Sequence, residues 1–172
     1  DLAKKKKFDI DIKILICNKS NAGCVRRAIK EKIPYFICEE SICNNKDDFE
    51  QKIIGKLIES DIELIVLAGW MKILTANFIT RINRKIINIH PSLLPSFKGK
   101  NPIKDALDSG SFITGCSVHY VIPAVDSGEL IIQGAIAINK EESIDNLTKN
   151  IHQIEHLILP LAISEVGFKI RK

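Results

Sequence analysis

The run Glu63-Leu64-Ile65-Val66-Leu67-Ala68-Gly69 decides the fold. A strand with one solvated face alternates apolar and polar residues; this run does not alternate, and it stops at a glycine. Such a run predicts a parallel strand covered on both faces. Twenty-two residues on, Lys85-Ile86-Ile87-Asn88-Ile89 repeats the pattern, and Thr75 to Ile82 between the two reads as a short helix. Upstream, Phe8 to Cys17 turns from alternating to wholly apolar and predicts another strand entering a buried sheet. Asn18-Lys19-Ser20-Asn21 reads as a turn, and Ala22 to Lys32 as a helix with Val25, Ala28 and Ile29 on one face. Pro34 to Cys38 reads as a strand, and Asp47 to Ser60 as an amphipathic helix with Phe49, Ile53, Leu57 and Ile54, Ile58 at the i+4 spacing. Strands alternating with helices at these intervals predict an α/β class: a doubly wound, mostly parallel, Rossmann-like sheet in three layers. Downstream follow a short helix around Ile103 to Leu107, strands Cys116 to Val121 and Leu130 to Ile138, and a long helix from Ser143. That helix carries Ile144, Leu147, Ile151, Ile154 and Ile158 on its apolar stripe; Pro160 is expected to interrupt it and Gly167 to end it.

The length of 172 residues argues for one domain, and 45% hydrophobic with 27% charged residues excludes an intrinsically disordered chain. Lys+Arg of 25 against Asp+Glu of 21 leaves +4, all of it carried by Lys4-Lys5-Lys6-Lys7. No aromatic residue interleaves that run, which argues against a nucleic-acid module and for a solvated helix end. The five cysteines (Cys17, Cys24, Cys38, Cys43, Cys116) contain no C-x-x-C and no zinc spacing. They read as reduced thiols, with Cys17, Cys38 and Cys116 in or beside apolar runs. No apolar run reaches the ~20 residues of a membrane span, and the charges after Lys7 spoil a signal sequence, so a cytoplasmic protein with no membrane partner is expected.

In an open α/β sheet the ligand crevice lies outside the carboxyl ends of the strands. One predicted strand ends at Gly69-Trp70-Met71-Lys72, the next at Asn88-Ile89-His90-Pro91-Ser92. Residues i and i+2 of a strand point the same way, so Asn88 and His90 project together. An amide beside an imidazole suits stabilisation of a developing oxyanion while a proton moves. Asp126-Ser127-Gly128 offers a carboxylate, which raises the pKa of a neighbouring imidazole. On spacing alone, a strand-end histidine is also read as structural or solvated.

The stretch Asn88-Ile89-His90-Pro91-Ser92-Leu93-Leu94-Pro95-Ser96-Phe97-Lys98-Gly99 closely resembles the signature of the folate-dependent formyltransferases. So do Gly115-Cys116-Ser117-Val118-His119-Tyr120-Val121, Asp126-Ser127-Gly128 and Gln133. Within that superfamily the chain is most similar to the phosphoribosylglycinamide formyltransferase branch of purine biosynthesis. The likeness runs from Asn18-Lys19 through Leu67 to Leu74 and on to Glu155-His156 and Pro160-Leu161.

The resemblance implies transfer of a formyl group from the co-substrate 10-formyltetrahydrofolate to the amine of glycinamide ribonucleotide, without a metal. It places His90 as general acid/base, Asn88 as the oxyanion-stabilising amide and Asp126 as the carboxylate that raises the His pKa. Folate is implied along Met71, Lys72, Ile73 and Leu74, at Asn88, and along Ile122, Pro123, Ala124, Val125 and Asp126. For Met71, Ile73 and Leu74 plain core packing is the competing reading. The branch usually has Arg where Lys72 stands, which a backbone contact would tolerate. Lys46 matches a basic position near the folate glutamate tail, and is equally read as a solvated helix-start lysine. The ribonucleotide is implied at Pro91, at Glu155, which matches the ribose ligand, and at His152. His119 is read as a structural strand histidine and His156 as a packing residue. The implied partners are small molecules, with room left for a homodimer and none for nucleic acid.

Asp1-Leu2-Ala3 aligns with the later part of the family's first helix. The resemblance therefore implies a single formyltransferase domain whose first strand, glycine-rich phosphate loop and helix start are missing from this sequence. The rivals are two other folate formyl enzymes. Methionyl-tRNA formyltransferase usually carries a further C-terminal domain, and formyltetrahydrofolate hydrolase usually differs at the residue after the histidine.

Overall fold

The computed structural model describes residues 9–139 and 141–172. Asp1-Leu2-Ala3, Lys4–Lys7 and Phe8 lie outside the described residues. The chain divides into two compact units, one reaching to Glu63 and including Asn77–Asn83, the other made of Leu64–Ala76 and Arg84–Lys172.

In the first unit, β1 (Leu15–Cys17) leads through α1 (Gly23–Glu31) to β2 (Tyr35–Ile37), and the two strands pair in parallel from Leu15 opposite Tyr35 to Cys17 opposite Ile37. The strand expected from Phe8 starts only at Leu15, where the Leu15 amide donates to the Pro34 carbonyl at 2.8 Å. The residues before it include the exposed Asp9, Asp11 and Lys13, and Lys13 pairs with Asp11 at 2.8 Å. α1 buries Val25 and Ala28, but Ile29 is 56% exposed and does not share their face. A single 3-10 turn, Glu40–Ile42, precedes α2 (Lys46–Glu59). Asn45 caps α2 by accepting from the Asp48 amide at 2.9 Å. The stripe Phe49, Ile53, Ile54 and Leu57 is buried as the periodicity predicts; Ile58, one residue past it, is 66% exposed. α3 (Ala76–Ile82) buries Phe78 and Ile82.

The second unit holds a four-stranded sheet in the order β3 (Leu64–Leu67), β4 (Lys85–His90), β5 (Ile113–Tyr120), β6 (Leu130–Ala137), with α4 (Pro102–Asp108) between β4 and β5. β3 and β4 are parallel; β5 and β6 each run antiparallel to their predecessor. The class is α/β, with the second half of the sheet turned antiparallel. β3 is half-buried along its length rather than covered on both faces, because it stands at the end of the described sheet. The core lies under β4 and β5, where Ile87, Cys116 and Val118 meet Leu147, Ile151, Ala162 and Val166 of α5 (Ile144–Ile170), all buried.

Two glycines let these layers close. A Cβ on Gly115 would lie 1.9 Å from the Gly134 carbonyl oxygen, and one on Gly134 would lie 2.2 Å from Ile154 Cγ2. The first allows β5 and β6 to approach; the second seats α5 on β6. Pro160 does not interrupt α5 and Gly167 does not end it: the helix is continuous for 27 residues. A mid-helix proline costs about 3 kcal/mol. Buried side chains on both sides of it, from Leu147 to Val166, offset that cost. On the same helix Ile144 is exposed, outside the stripe expected for it. Among the described residues no helix is long and apolar enough to cross a membrane.

Candidate active site

β4 enters the core as Ile86-Ile87 and ends in polar residues, and the antiparallel β5 sets Asn88 opposite His119 and His90 opposite Ser117. The site is therefore built from side chains on two paired strands. His90 is 5% exposed and both ring nitrogens have a neighbour. Its Nε2 lies 2.9 Å from the Phe97 carbonyl oxygen, and Nδ1 lies 3.5 Å from Asp126 Oδ2. A carbonyl only accepts, so Nε2 carries a proton and Nδ1 is the nitrogen free to gain or lose one.

Both groups that hold His90 come from backbone in the left-handed region, Phe97 at φ 53° and Asp126 at φ 46°. Non-glycine residues reach that region only when the surroundings compel it, and such strain gathers at functional sites. Here the surroundings are cross-ties. The Gly99 amide donates to Asp126 Oδ2 at 3.0 Å, and Lys98 Nζ donates to Ser127 Oγ at 2.7 Å.

The Pro91–Phe97 loop is fixed from below by one hydroxyl. Ser117 Oγ donates to the Ser92 carbonyl at 2.7 Å and accepts from the Leu94 amide at 3.0 Å and from Gln133 Nε2 at 2.8 Å. That exhausts one donor and two lone pairs. Gln133 also donates to the Leu94 carbonyl at 3.0 Å, and Ser92 Oγ to that of Ser96 at 2.6 Å.

The structure brings Asn88, His90 and Asp126 together as the sequence predicts, and adds His119, which sequence reading assigned a structural role. His119 is 2% exposed; Nε2 is 3.3 Å from Asn88 Nδ2 and 3.7 Å from Asp126 Oδ1. Burial holds its imidazole below the usual range, with His90 and Lys98 acting in the same direction and the Tyr120 carbonyl and Asp126 against it. The signal for it was present: Ser117 and His119 are spaced i, i+2 on an otherwise apolar strand. The Phe97 carbonyl has no comparable signal, since backbone groups leave none.

Met71 and Ile73 are 69% and 59% exposed, which excludes core packing for both, whereas Leu74 is buried in the core. Lys72 is exposed, as are Ile122, Pro123, Ala124 and Val125. Two segments of this unit thus present apolar side chains to solvent, the setting in which a flat aromatic ligand finds walls. Pro91 is half-buried beside His90. On α5, His152 is exposed and its Nε2 stands 3.9 Å from Glu155 Oε2. His156 is exposed, so it is not the packing residue expected. Lys46 opens α2 in the first unit and is exposed. A cavity of about 560 Å³ in that unit, lined by Lys13, Lys32, Tyr35 and Lys56 among others, contains none of these residues.

Burial raises the Glu155 carboxyl above its usual range, against the pull of His152, His156 and His90. The unfolded chain ionises this group earlier than the folded one, so stability falls as pH rises through and above 4.5. Glu155→Gln is therefore expected to raise the melting temperature near about pH 7 and leave it unchanged below about pH 4. Thermal melts at the two pH values check this; a variant less stable at neutral pH would refute it. Cys17, Cys38 and Cys116 are buried as expected, and burial pushes the Cys116 thiol up to about 12, leaving it inert. Among the described residues no group of His, Cys, Asp and Glu side chains is arranged to hold a metal ion.

Residues 1–163 match the family model described as formyl transferase. The chain is 37% identical over 163 residues to phosphoribosylglycinamide formyltransferase of Bacillus subtilis, covering 95% of this chain and 84% of that one. It is 36% identical over 167 residues to the human trifunctional purine biosynthetic protein adenosine-3, covering 97% of this chain but only 16% of that protein. Among solved structures, glycinamide ribonucleotide transformylase 1 from Geobacillus kaustophilus superposes with a TM-score of 0.92 at 35% identity, covering 96% of this chain and 88% of that one.

Proposed function

The chain belongs to the formyl transferase family, and from that premise we propose that it transfers the formyl group of 10-formyltetrahydrofolate to the amine of glycinamide ribonucleotide. The observation that carries this reading is the grouping of Asn88, His90 and Asp126 at the end of β4, on side chains matching the family signature. It treats the chain as one formyltransferase domain, acting in the cytoplasm on small molecules and without a metal.

As the substrate amine attacks the formyl carbon, the carbonyl π pair moves onto oxygen and a tetrahedral oxyanion forms. Asn88 Nδ2 donates a hydrogen bond to that oxygen, and the positive charge of protonated His90 stabilises it through space. A preorganised donor of this kind is worth ~2.7–4 kcal/mol. Asp126 faces the ring nitrogen that gains the proton, so positive charge on His90 meets a carboxylate at 3.5 Å. The amine then gives its proton through water to Asp126, which passes it to His90 Nδ1 as His90 gives up its own. The bond from the formyl carbon to the folate nitrogen breaks, its electron pair staying on that nitrogen, which takes up a proton delivered through His90. Collapse of the oxyanion restores the carbonyl on the new amide.

Met71, Ile73, Ile122 and Val125 supply apolar walls for the folate, while backbone groups of Lys72, Leu74, Pro123 and Ala124 bind its polar edge. Glu155 binds the ribose hydroxyls, and His152 and Pro91 border the ribonucleotide. The protein is to be mixed with 10-formyltetrahydrofolate and either glycinamide ribonucleotide or charged initiator tRNA. Formyl transfer to the ribonucleotide alone is expected; transfer to the tRNA, or folate product without an acceptor, would overturn the reading.

A further inference from the structure

The hydrogen bonds around His119 form a directed chain. His119 Nδ1 lies 2.8 Å from the carbonyl oxygen of Tyr120. A carbonyl cannot donate, so Nδ1 carries the proton. In a neutral ring Nε2 is then a bare acceptor, and the group facing it at 3.3 Å is the Asn88 amide nitrogen. The other tautomer would set a lone pair against the Tyr120 carbonyl and an N–H against the Asn88 NH2. A doubly protonated ring would turn its new proton toward Asp126 Oδ1, 3.7 Å away, and abandon Asn88. Burial disfavours that charged form.

The chain is anchored by local backbone geometry. A Cβ on Gly128 would lie 1.7 Å from the Tyr120 oxygen, so only glycine allows the loop to close over that carbonyl. The β5–β6 register slips between Val118 and His119. Bulges beside active sites re-aim side chains, and this one falls at the histidine.

We propose that His119 is a positioning residue that fixes the orientation of the Asn88 amide, holding its nitrogen rather than its oxygen toward the reacting centre. An asparagine side chain is nearly symmetric in shape, and its two orientations differ mainly in their hydrogen bonds. Turned over, Asn88 would present a carbonyl lone pair where the oxyanion forms, and stabilisation would become repulsion. One N–H of the amide is spent on His119 Nε2; the other is left aimed and available. The inference rests on the formyl-transfer reading above.

The test is a double-mutant cycle on the full chain, measuring formyl transfer to glycinamide ribonucleotide. His119→Phe keeps a flat ring but removes the acceptor, and is expected to lower kcat by about 10- to 100-fold with little change in either KM. His119→Gln restores an acceptor and should recover most of that loss. In an Asn88→Ala background, His119→Phe should cost less than about threefold more, because the group it positions is gone. Losses that multiply in the double variant, or a Gln variant no better than Phe, would overturn the proposal. Nitrogen NMR of His119 in the unmodified protein gives a readout that needs no variant to fold. A proton on Nδ1 and none on Nε2 near about pH 7 is expected; the opposite tautomer or a doubly protonated ring overturns the chain. If the unmodified protein transfers no formyl group, the functional reading fails, while the NMR result still decides the hydrogen-bond chain.

Discussion

His90→Ala is expected to lower kcat for formyl transfer by about 10²- to 10⁴-fold, the usual contribution of a positioned acid/base group. The argument rests on which nitrogen is free. The Phe97 carbonyl occupies Nε2–H at 2.9 Å, so proton movement is confined to Nδ1, which faces Asp126 at 3.5 Å. The substitution also leaves the part-buried Phe97 carbonyl without its donor, at a cost of up to about 1–3 kcal/mol of stability. Thermal melts alongside the kinetics separate the two effects: a folded variant with unimpaired turnover would refute the assignment. His90→Gln fills part of the space and can still donate to Phe97, so it should recover stability without recovering kcat.

Asn88→Ala is expected to lower kcat by about 10²- to 10³-fold, as loss of one oxyanion donor does elsewhere. The loss should fall on kcat rather than on KM, since the amide's second N–H meets full negative charge only in the transition state. Asn88→Asp makes the distinction sharper. It is close in shape but places negative charge beside the developing oxyanion, and should be slower than the alanine variant. Steady-state kinetics on the three proteins decides the matter; an aspartate variant faster than alanine would show that Asn88 does not face the oxyanion.

Periodicity made the helices and most strands legible, because burial of one face leaves a pattern in side-chain polarity. What it could not carry was pairing direction. Cys116 to Val121 reads as a strand whether it runs with or against its neighbour, and β5 runs against β4. It also overstated burial at β3, since an apolar run reports what a strand could bury and not which neighbours it has. The end of α5 is hidden from the sequence for a related reason. Pro160 and Gly167 weaken a helix locally, but packing along its length settles the outcome. In the site, Asn88, His90 and Asp126 are legible as residue types suited to proton transfer and charge stabilisation, and they do lie together. His119 was half-visible, as a polar residue on an apolar strand, but its role lies in a cross-strand contact with Asn88. The Phe97 carbonyl and the Gly99 amide were invisible, because every residue has them.

The sheet's change of direction at β4 separates the site into fixed and movable parts. Asn88, His90 and His119 ride on strands whose ladder bonds must break together, whereas Asp126 sits on a turn held by the Gly99 amide and the Lys98–Ser127 contact. Mild heating or denaturant should therefore disconnect the carboxylate first, while the amide and both imidazoles keep their places. Loss of catalysis would then precede unfolding: the protein has a fuse, and it is the turn bearing Asp126.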